Sequence, residues 1–276
     1  MFSPVTISGQ VYKKYLLMAS HPSKIRMQNL MGSHLLSKGI SLQNEDGVSF
    51  ELDANDWITR IMLMEGNYES GSTLLAKNLL KNGGLLIDIG ANFGLFTCIA
   101  ASKNDRVKVI AVEPNYKVLP RLLQHIRLNG LEESVQVINA AVSKKFQLVT
   151  MEQPALDNLG TTLTKVGEAG LLSVLSCSLE FICGIHRQEP VELLKIDIEG
   201  NEFDILEDFP FENFNIKNIL LEFNHLSRIT FEELRLFFEK RGFECCTIGG
   251  VPLLDERQDI PENNIWFRQI ASPVIN

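Results

Sequence analysis

Between residues 84 and 223 the apolar positions come in short continuous bursts, separated by stretches in which they recur every three or four residues. Continuous bursts are the mark of strands buried on both faces, and the longer period marks the helices that cover them. The pattern predicts strands at Leu85–Ile89, Val107–Val112, Val135–Asn139, Leu193–Ile196 and Ile219–Phe223. It predicts helices at Phe93–Ser102, Lys117–Leu128, Glu202–Leu206 and Phe231–Arg241. Asn129-Gly130 reads as a helix stop, because both residues tolerate left-handed backbone. Thr230, with Glu233 three residues on, reads as a capping box. Strands alternating with helices give an α/β fold around a mostly parallel sheet.

Two regions break the rhythm. Residues 1–83 carry short amphipathic segments, Trp57–Met64 among them, and are expected to form a helical cap preceding a sheet domain at 84–276. Residues 143–190 form a long insertion between the third and fourth strands. Asn158-Leu-Gly160 and Gly167–Gly170 supply turns there, while Gln147–Met151 and Leu172–Cys177 read as short strands. An excursion of this length is usually functional or has structure of its own.

Composition narrows the function classes. A chain of 276 residues, 45% of them hydrophobic, can bury one large core. Its net charge of −8 offers no general attraction to nucleic acid or to an anionic membrane. The charge is unevenly spread: residues 1–44 hold Lys13, Lys14, Lys24, Arg26 and Lys38 but no acid. Such a bias suits an ordinary solvated surface or a cap over an anionic substrate. It does not read as a transit peptide, and no basic segment leads into an apolar core as in a signal peptide. No apolar run approaches the ~20 residues of a membrane span. The five cysteines, Cys98, Cys177, Cys183, Cys245 and Cys246, lack paired-ligand spacing and read as buried thiols of a cytoplasmic protein. Adjacent Cys245 and Cys246 are expected on opposite faces of a strand.

The chemistry begins at residues 85–94, Leu-Leu-Ile-Asp-Ile-Gly-Ala-Asn-Phe-Gly. An apolar strand ends in Asp88, and Gly90, Ala91, Asn92 and Gly94 then turn the chain into a helix. A pyrophosphate corner would read GxGxxG and present bare amides. A carboxylate inside the turn repels phosphate and suits a cation, such as the ammonium of an amino-acid moiety. The next strand ends in Glu113-Pro114-Asn115, where a carboxylate can accept both hydroxyls of a ribose. An acid in the first corner, an acid on the second tip and no phosphate anchor describe S-adenosylmethionine. Asn139-Ala140-Ala141-Val142, at the third strand end, leaves room for a flat adenine.

The fourth strand reads Leu193-Leu-Lys195-Ile-Asp197-Ile-Glu199-Gly200. Charges inside a buried parallel strand are costly unless paired or facing a ligand at the sheet edge. Lys195 and Asp197 are therefore read as functional, whereas Glu199 or Asn201 is read as a cap on the following helix. Glu222, Asn224 and His225 end the fifth strand and are expected to join Asp197 in a polar floor. His21 and His34 read as surface histidines.

Together these segments resemble the FkbM family of S-adenosylmethionine-dependent methyltransferases. The residues that carry the resemblance are Asp88-Ile-Gly-Ala-Asn-Phe-Gly94, Ala111-Val-Glu-Pro-Asn115, Asn129-Gly130, Asn139–Val142, Leu193–Gly200 and Leu220–Glu222. Gly66-Asn-Tyr68-Glu69 resembles an element that precedes the fold in that family. The resemblance implies a class I methyltransferase sheet, Rossmann-like, with seven strands of which one is antiparallel. It also implies O-methylation of a hydroxyl on a small molecule or glycan. By position, Glu69, Asp88, Gly90, Ala91, Asn92, Gly94, Glu113, Pro114, Asn115, Ala140 and Asp197 would hold the cofactor. Asp197 is the first candidate for the base, then Glu222 or His225, with Lys195 orienting a carboxylate. A carboxylate cluster with Asn224 could instead hold Mg²⁺; no metal site is assigned. The competing functions are N-methylation of a peptide or small molecule and a binding or scaffold protein that keeps the fold without catalysis. No nucleic acid is expected as partner, and a homodimer is compatible with the chain.

Overall fold

The computed structural model describes residues 1–18, 23–32, 36, 39–54, 56–102, 104–152, 163–166, 173–198, 200–224, 226–254, 260 and 263–270. His21, His34, Glu199, His225 and the turns expected at 158–160 and 167–170 lie outside the described residues.

The N-terminal segment holds β1 (Ser3–Pro4), α1 (Ile7–Leu17), α2 (Lys24–Leu30), β2 (Ile40–Gln43), β3 (Ser49–Leu52), α3 (Trp57–Glu65) and α4 (Ser70–Leu79). It is not purely helical, since β1, β2 and β3 form an antiparallel sheet. The reason is a period of two in Ile40, Leu42, Val48, Phe50 and Leu52, all of which face the core. Asn44 closes the hairpin, its Oδ1 accepting from the amides of Asp46 and Val48. The helical part follows local capping rules. Asp56 accepts from the Thr59 amide at the start of α3, and Gly66 ends that helix at φ +73°.

The main body continues with β4 (Gly84–Ile89), α5 (Leu95–Ala101), β5 (Val107–Val112), α6 (Leu119–Leu128) and β6 (Val135–Ile138). After β7 (Ala141–Val142), the insertion comprises β8 (Gln147–Glu152), β9 (Leu163–Val166), β10 (Ser173–Cys177) and α7 (Leu179–Gly184). With β7 it builds a separate four-stranded sheet in the order β7-β10-β8-β9. Then come β11 (Val191–Ile196), α8 (Glu202–Leu206), β12 (Asn218–Glu222), α9 (Phe231–Glu239), β13 (Phe243–Thr247) and β14 (Asn264–Gln269). The seven-stranded sheet runs β13-β14-β12-β11-β4-β5-β6, with β14 antiparallel to both neighbours and the other pairings parallel. This is the sheet the resemblance implies. The Thr230–Glu233 capping box is present at α9.

Side-chain alternation sends each strand's apolar residues into two cores. One face packs Leu86, Ala111, Leu193, Leu220, Cys246 and Trp266 against α5, α6 and the N-terminal segment's Tyr12, Phe50 and Met62. The other packs Ile87, Ile110, Leu194, Ile219, Cys245 and Phe267 against Leu206, Phe211 and Phe238. Cys245 and Cys246 thus lie on opposite faces. The first face's core is continuous from the sheet into the N-terminal segment. Polar clasps hold the two together: Asn129 exchanges hydrogen bonds with the backbone of Ser49, and buried His125 donates from Nδ1 to the Phe93 carbonyl and accepts at Nε2 from the Glu51 amide. Among the described residues, no helix is long and apolar enough to cross a membrane.

Candidate active site

The site lies at the carboxyl edge of the central strands, where an open α/β sheet leaves a crevice. Its first wall is the β4–α5 corner. Gly90 stands at φ +82°, and a Cβ there would overlap the carbonyl oxygen of Asp197. Only glycine lets the turn pass so close to the end of β11. Asn92, at φ +51°, directs its amide onto Glu113 Oε2 at 2.8 Å, while its own side chain accepts from the Phe93 amide.

Glu113 caps the tip of β5. Its second oxygen accepts from the Asn115 amide at 2.7 Å, and Asn139 Nδ2 donates to the Glu113 and Pro114 carbonyls. Each carboxylate oxygen keeps a further lone pair. With 6% of the residue exposed, burial pushes this carboxyl up to about 7, against the pull of the two amides. Pro114 and Ala140 flank it, and Ala140 is buried without a polar atom to offer.

Asp88 and Lys195 are direct partners in the parallel ladder of β4 and β11, so both side chains emerge on the α5 face. Their row continues through apolar neighbours, Ala111 on β5 and Leu220 on β12. Asp88 is fully buried: Thr97 of α5 donates to its Oδ2 at 2.6 Å, and Oδ1 has no hydrogen-bond partner and lies 3.8 Å from Lys195 Nζ. The structure therefore places Asp88 beneath the corner rather than in the crevice, where its charge can act but its oxygens are not offered to a ligand. Burial and the charge of Asp197 raise its pKa, opposed by Lys195 and Thr97.

Lys195 Nζ donates to Asp197 Oδ2 at 2.9 Å and lies 5.3 Å from the centre of the Phe96 ring. Burial favours the neutral amine, but Asp197, Asp88 and Glu69 together outweigh it and raise the lysine's pKa. The side chain of Lys195 is 4% exposed and that of Asp197 25%, so the aspartate carries the pair to the crevice. Asp197 stands two residues beyond Lys195, and Glu222 two beyond Leu220. By strand parity both rise from the same face at neighbouring tips.

Tyr68 and Glu69, leading into α4, complete the cluster. Burial raises the Tyr68 pKa, with the charges of Glu69, Asp197 and Glu222 adding to it and Lys195 opposing. Glu69 takes left-handed backbone, φ 49° and ψ 39°, at the start of α4. Among the described residues three non-glycines have positive φ: Glu69, Asn92 and Asn263, whose carbonyl accepts from the Phe223 amide at the end of β12. All three border the same edge, and strain of this kind collects at functional sites.

Other expectations are corrected. Of the two residues read as a cap, Glu199 lies outside the described residues and Asn201 makes no side-chain cap bond, while buried Glu202 accepts from the amides of Ile198 and Gly200. Asn224 is engaged in its own turn, accepting from the Leu226 amide while its backbone amide donates to Ser227 Oγ. Among the described residues, no three His, Cys, Asp or Glu side chains converge to hold a metal ion. Sequence reading missed Thr97 and Phe96, which touch the buried charges from α5. It also missed Asn264, paired with Glu222 across the ladder and bonded to Ser72 Oγ.

The donor set fits S-adenosylmethionine. Asp197, Asp88 and Glu69 act on one ammonium, that of Lys195, and Glu222 adds a further carboxylate beside Tyr68, leaving an excess of negative charge suited to a sulfonium and an amino group. Glu113 offers acceptors at the distance of one strand, and no basic side chain in this set awaits a phosphate.

The family profile of the methyltransferase FkbM domain matches residues 88–245. A search of curated proteins finds no match. Among solved structures, the chain is similar to an FkbM methyltransferase from Methylobacillus flagellatus KT, at 11% identity and a TM-score of 0.46, over 94% of this chain and 58% of that one. It is similar to a human methyltransferase 10 domain-containing protein, at 10% identity and a TM-score of 0.49, over 92% and 100%. A third similarity is to M. capricolum TrmK in complex with S-adenosyl-homocysteine, at 16% identity and a TM-score of 0.40, over 71% and 68%.

Proposed function

Because the chain belongs to the FkbM family of S-adenosylmethionine-dependent methyltransferases, we propose that it methylates a hydroxyl of a small molecule or glycan. The observation that carries this reading is the pairing of buried Lys195 with part-exposed Asp197 at the crevice edge, beside Glu222. A fixed carboxylate there suits the removal of a hydroxyl proton.

S-adenosylmethionine, when bound, supplies a methyl group already activated by the positive sulfur. Glu113 would accept from its ribose, Gly90 and Ala91 would give its methionine end room, and Ala140 would pack on its adenine. Pro114 fixes the chain leaving β5, and Asn115 holds the Glu113 carboxylate. Gly94 and Asn92 shape the turn that brings these groups together. Asp197 and Glu69 add negative charge where the cofactor's cationic end would lie. The chain's remaining task is to align the acceptor and take its proton. Alignment contributes several kcal/mol (~7–11 at best) to such transfers. Asp197 would take the proton, held in one rotamer by Lys195, and Glu222 would hydrogen-bond the acceptor.

Titration of the purified chain with S-adenosylmethionine and S-adenosylhomocysteine tests the cofactor assignment. Micromolar binding, lost in Glu113→Ala, is expected; no binding of either ligand would overturn it. A screen for cofactor consumption over sugars, polyketides and peptides, with the methyl group located by NMR, tests the acceptor class. Methylation on nitrogen would refute O-transfer, and cofactor binding without turnover on any acceptor would favour the scaffold reading.

A further inference from the structure

The outer face of the N-terminal helices is apolar where a solvated surface would be polar. In α1 the residues Gly9, Tyr12 and Leu16 are buried, which fixes the inward side of the helix. Ile7, Val11 and Lys14 recur at helical spacing on the opposite side, with Met18 just past the helix end, and all four are exposed. Ile7 is 81% exposed, and Leu17 lies beside this stripe. Just beyond, α2 presents Ile25, 72% exposed, with Met27 and Leu30. Contact of Lys24 Nζ with the Met18 carbonyl joins the start of α2 to the end of α1. The helix is thus apolar on both sides, and only one side is covered by the core.

Charge identifies what would cover the other. Lys13, Lys14, Lys24 and Arg26 flank these apolar side chains, and all 34 acidic residues of the chain lie beyond Asn44. A second copy of the chain docking through this face would bring basic residues against basic residues, which disfavours a two-fold contact. Protruding apolar side chains amid lysines, with no acid among them, suit instead the boundary between anionic headgroups and acyl chains.

We infer that the α1–α2 face docks on an anionic lipid bilayer, holding the enzyme at a membrane surface without spanning it. This stands apart from the methyl-transfer reading and from the residues assigned to it.

Co-sedimentation of the full chain with vesicles tests it, comparing phosphatidylcholine alone with phosphatidylcholine containing about a third phosphatidylserine, at moderate salt. Sedimentation with the anionic vesicles and little with the neutral ones is expected. The double variant Ile7→Ser/Val11→Ser should weaken the partition by at least about tenfold, since two exposed aliphatic side chains no longer reach the acyl boundary. Lys13→Gln and Lys14→Gln should each weaken it about fivefold, and added salt should do likewise. Unchanged thermal melting and cofactor binding would show that both sets of variants fold. Equal recovery with neutral and anionic vesicles, or none with either, would overturn the inference. So would a concentration-dependent dimer in lipid-free buffer that the Ile7→Ser/Val11→Ser variant abolishes, because the face would then belong to a second copy.

Discussion

The ammonium of Lys195 sits 2.9 Å from Asp197 Oδ2, one layer lower on the same strand face, and it is almost wholly buried. Its other carboxylate neighbour, Asp88 at 3.8 Å, is sealed from solvent. Lys195 is thus the cation on which two acids of adjacent strands converge, so removing it strands charge inside the protein.

Lys195→Met should destabilise the fold by about 3–5 kcal/mol at neutral pH, the usual cost of leaving a buried charge without its partner. Adding Asp88→Asn should recover part of that loss, because the carboxyl left behind no longer carries a charge. Urea unfolding of the two variants and the parent checks this. A double variant no more stable than the single one would show that Asp88 and Lys195 are not coupled.

Asp197→Asn keeps size and one hydrogen-bond acceptor for Lys195 but removes the group assigned as base. Cofactor should still bind, weakened by no more than about tenfold through the lost charge, while kcat falls by about 10²–10⁴-fold, the usual contribution of a positioned base. Near-normal turnover would refute the role. Running the same assay with a chelator tests the metal alternative, and the metal-free reading predicts unchanged rates.

Much of this site could be read from the chain because its parts are contiguous. Asp88 to Gly94 is one strand end and one turn, and Glu113 stands out as an acid closing an apolar run. Lys195 and Asp197 were legible for the opposite reason, as charges where a buried strand should have none. What could not be read depended on distant partners. The sequence suggested that Asp88 faced a ligand. Instead Thr97 of α5 takes one oxygen, and Lys195 of β11 stands 3.8 Å from the other, beneath the corner. The strand Asn264–Gln269 was missed because it lies among polar residues, and its pairing with Asn218–Glu222 is long-range. The hairpin Ile40–Leu52 falls in a region whose pattern predicts helix, because its period-two signal is only a few residues long on each side of the turn.

Glu69 holds left-handed backbone that costs a non-glycine residue roughly 1–2 kcal/mol. Its charge acts on Lys195 and Tyr68 across the crevice. If the strain is kept for the sake of that carboxylate, Glu69→Gly should be at least as stable as the parent. It should nevertheless bind S-adenosylmethionine at least about tenfold more weakly. Thermal melting and titration on the same sample separate the two effects. Unchanged affinity would leave the strain without a functional account.

Glu113 gives the site a pH dependence with a definite sign. An unfolded glutamate titrates near 4.5, whereas burial pushes this carboxyl up to about 7 in the folded chain. Between those values the folded state holds a proton that the unfolded state has lost, so stability falls as pH rises from about 4.5 to about 7 and is level above. The full span is about 3 kcal/mol, and Glu113→Gln, which mimics the protonated carboxyl, should remove it, visible as urea midpoints of the two proteins that separate as pH rises from about 4.5 to about 7. Cofactor binding works in the opposite direction. On the proposed reading the ribose hydroxyls would donate to the ionised carboxylate, so affinity should rise as pH is raised through about 7, with release of up to one proton per ligand bound below that point. Calorimetry at pH 6.5 in two buffers of different ionisation enthalpy reads that proton directly. The parent's apparent heat should differ between buffers, and that of Glu113→Gln should not. Equal heats in both buffers for the parent would mean that Glu113 is not the group that meets the ribose.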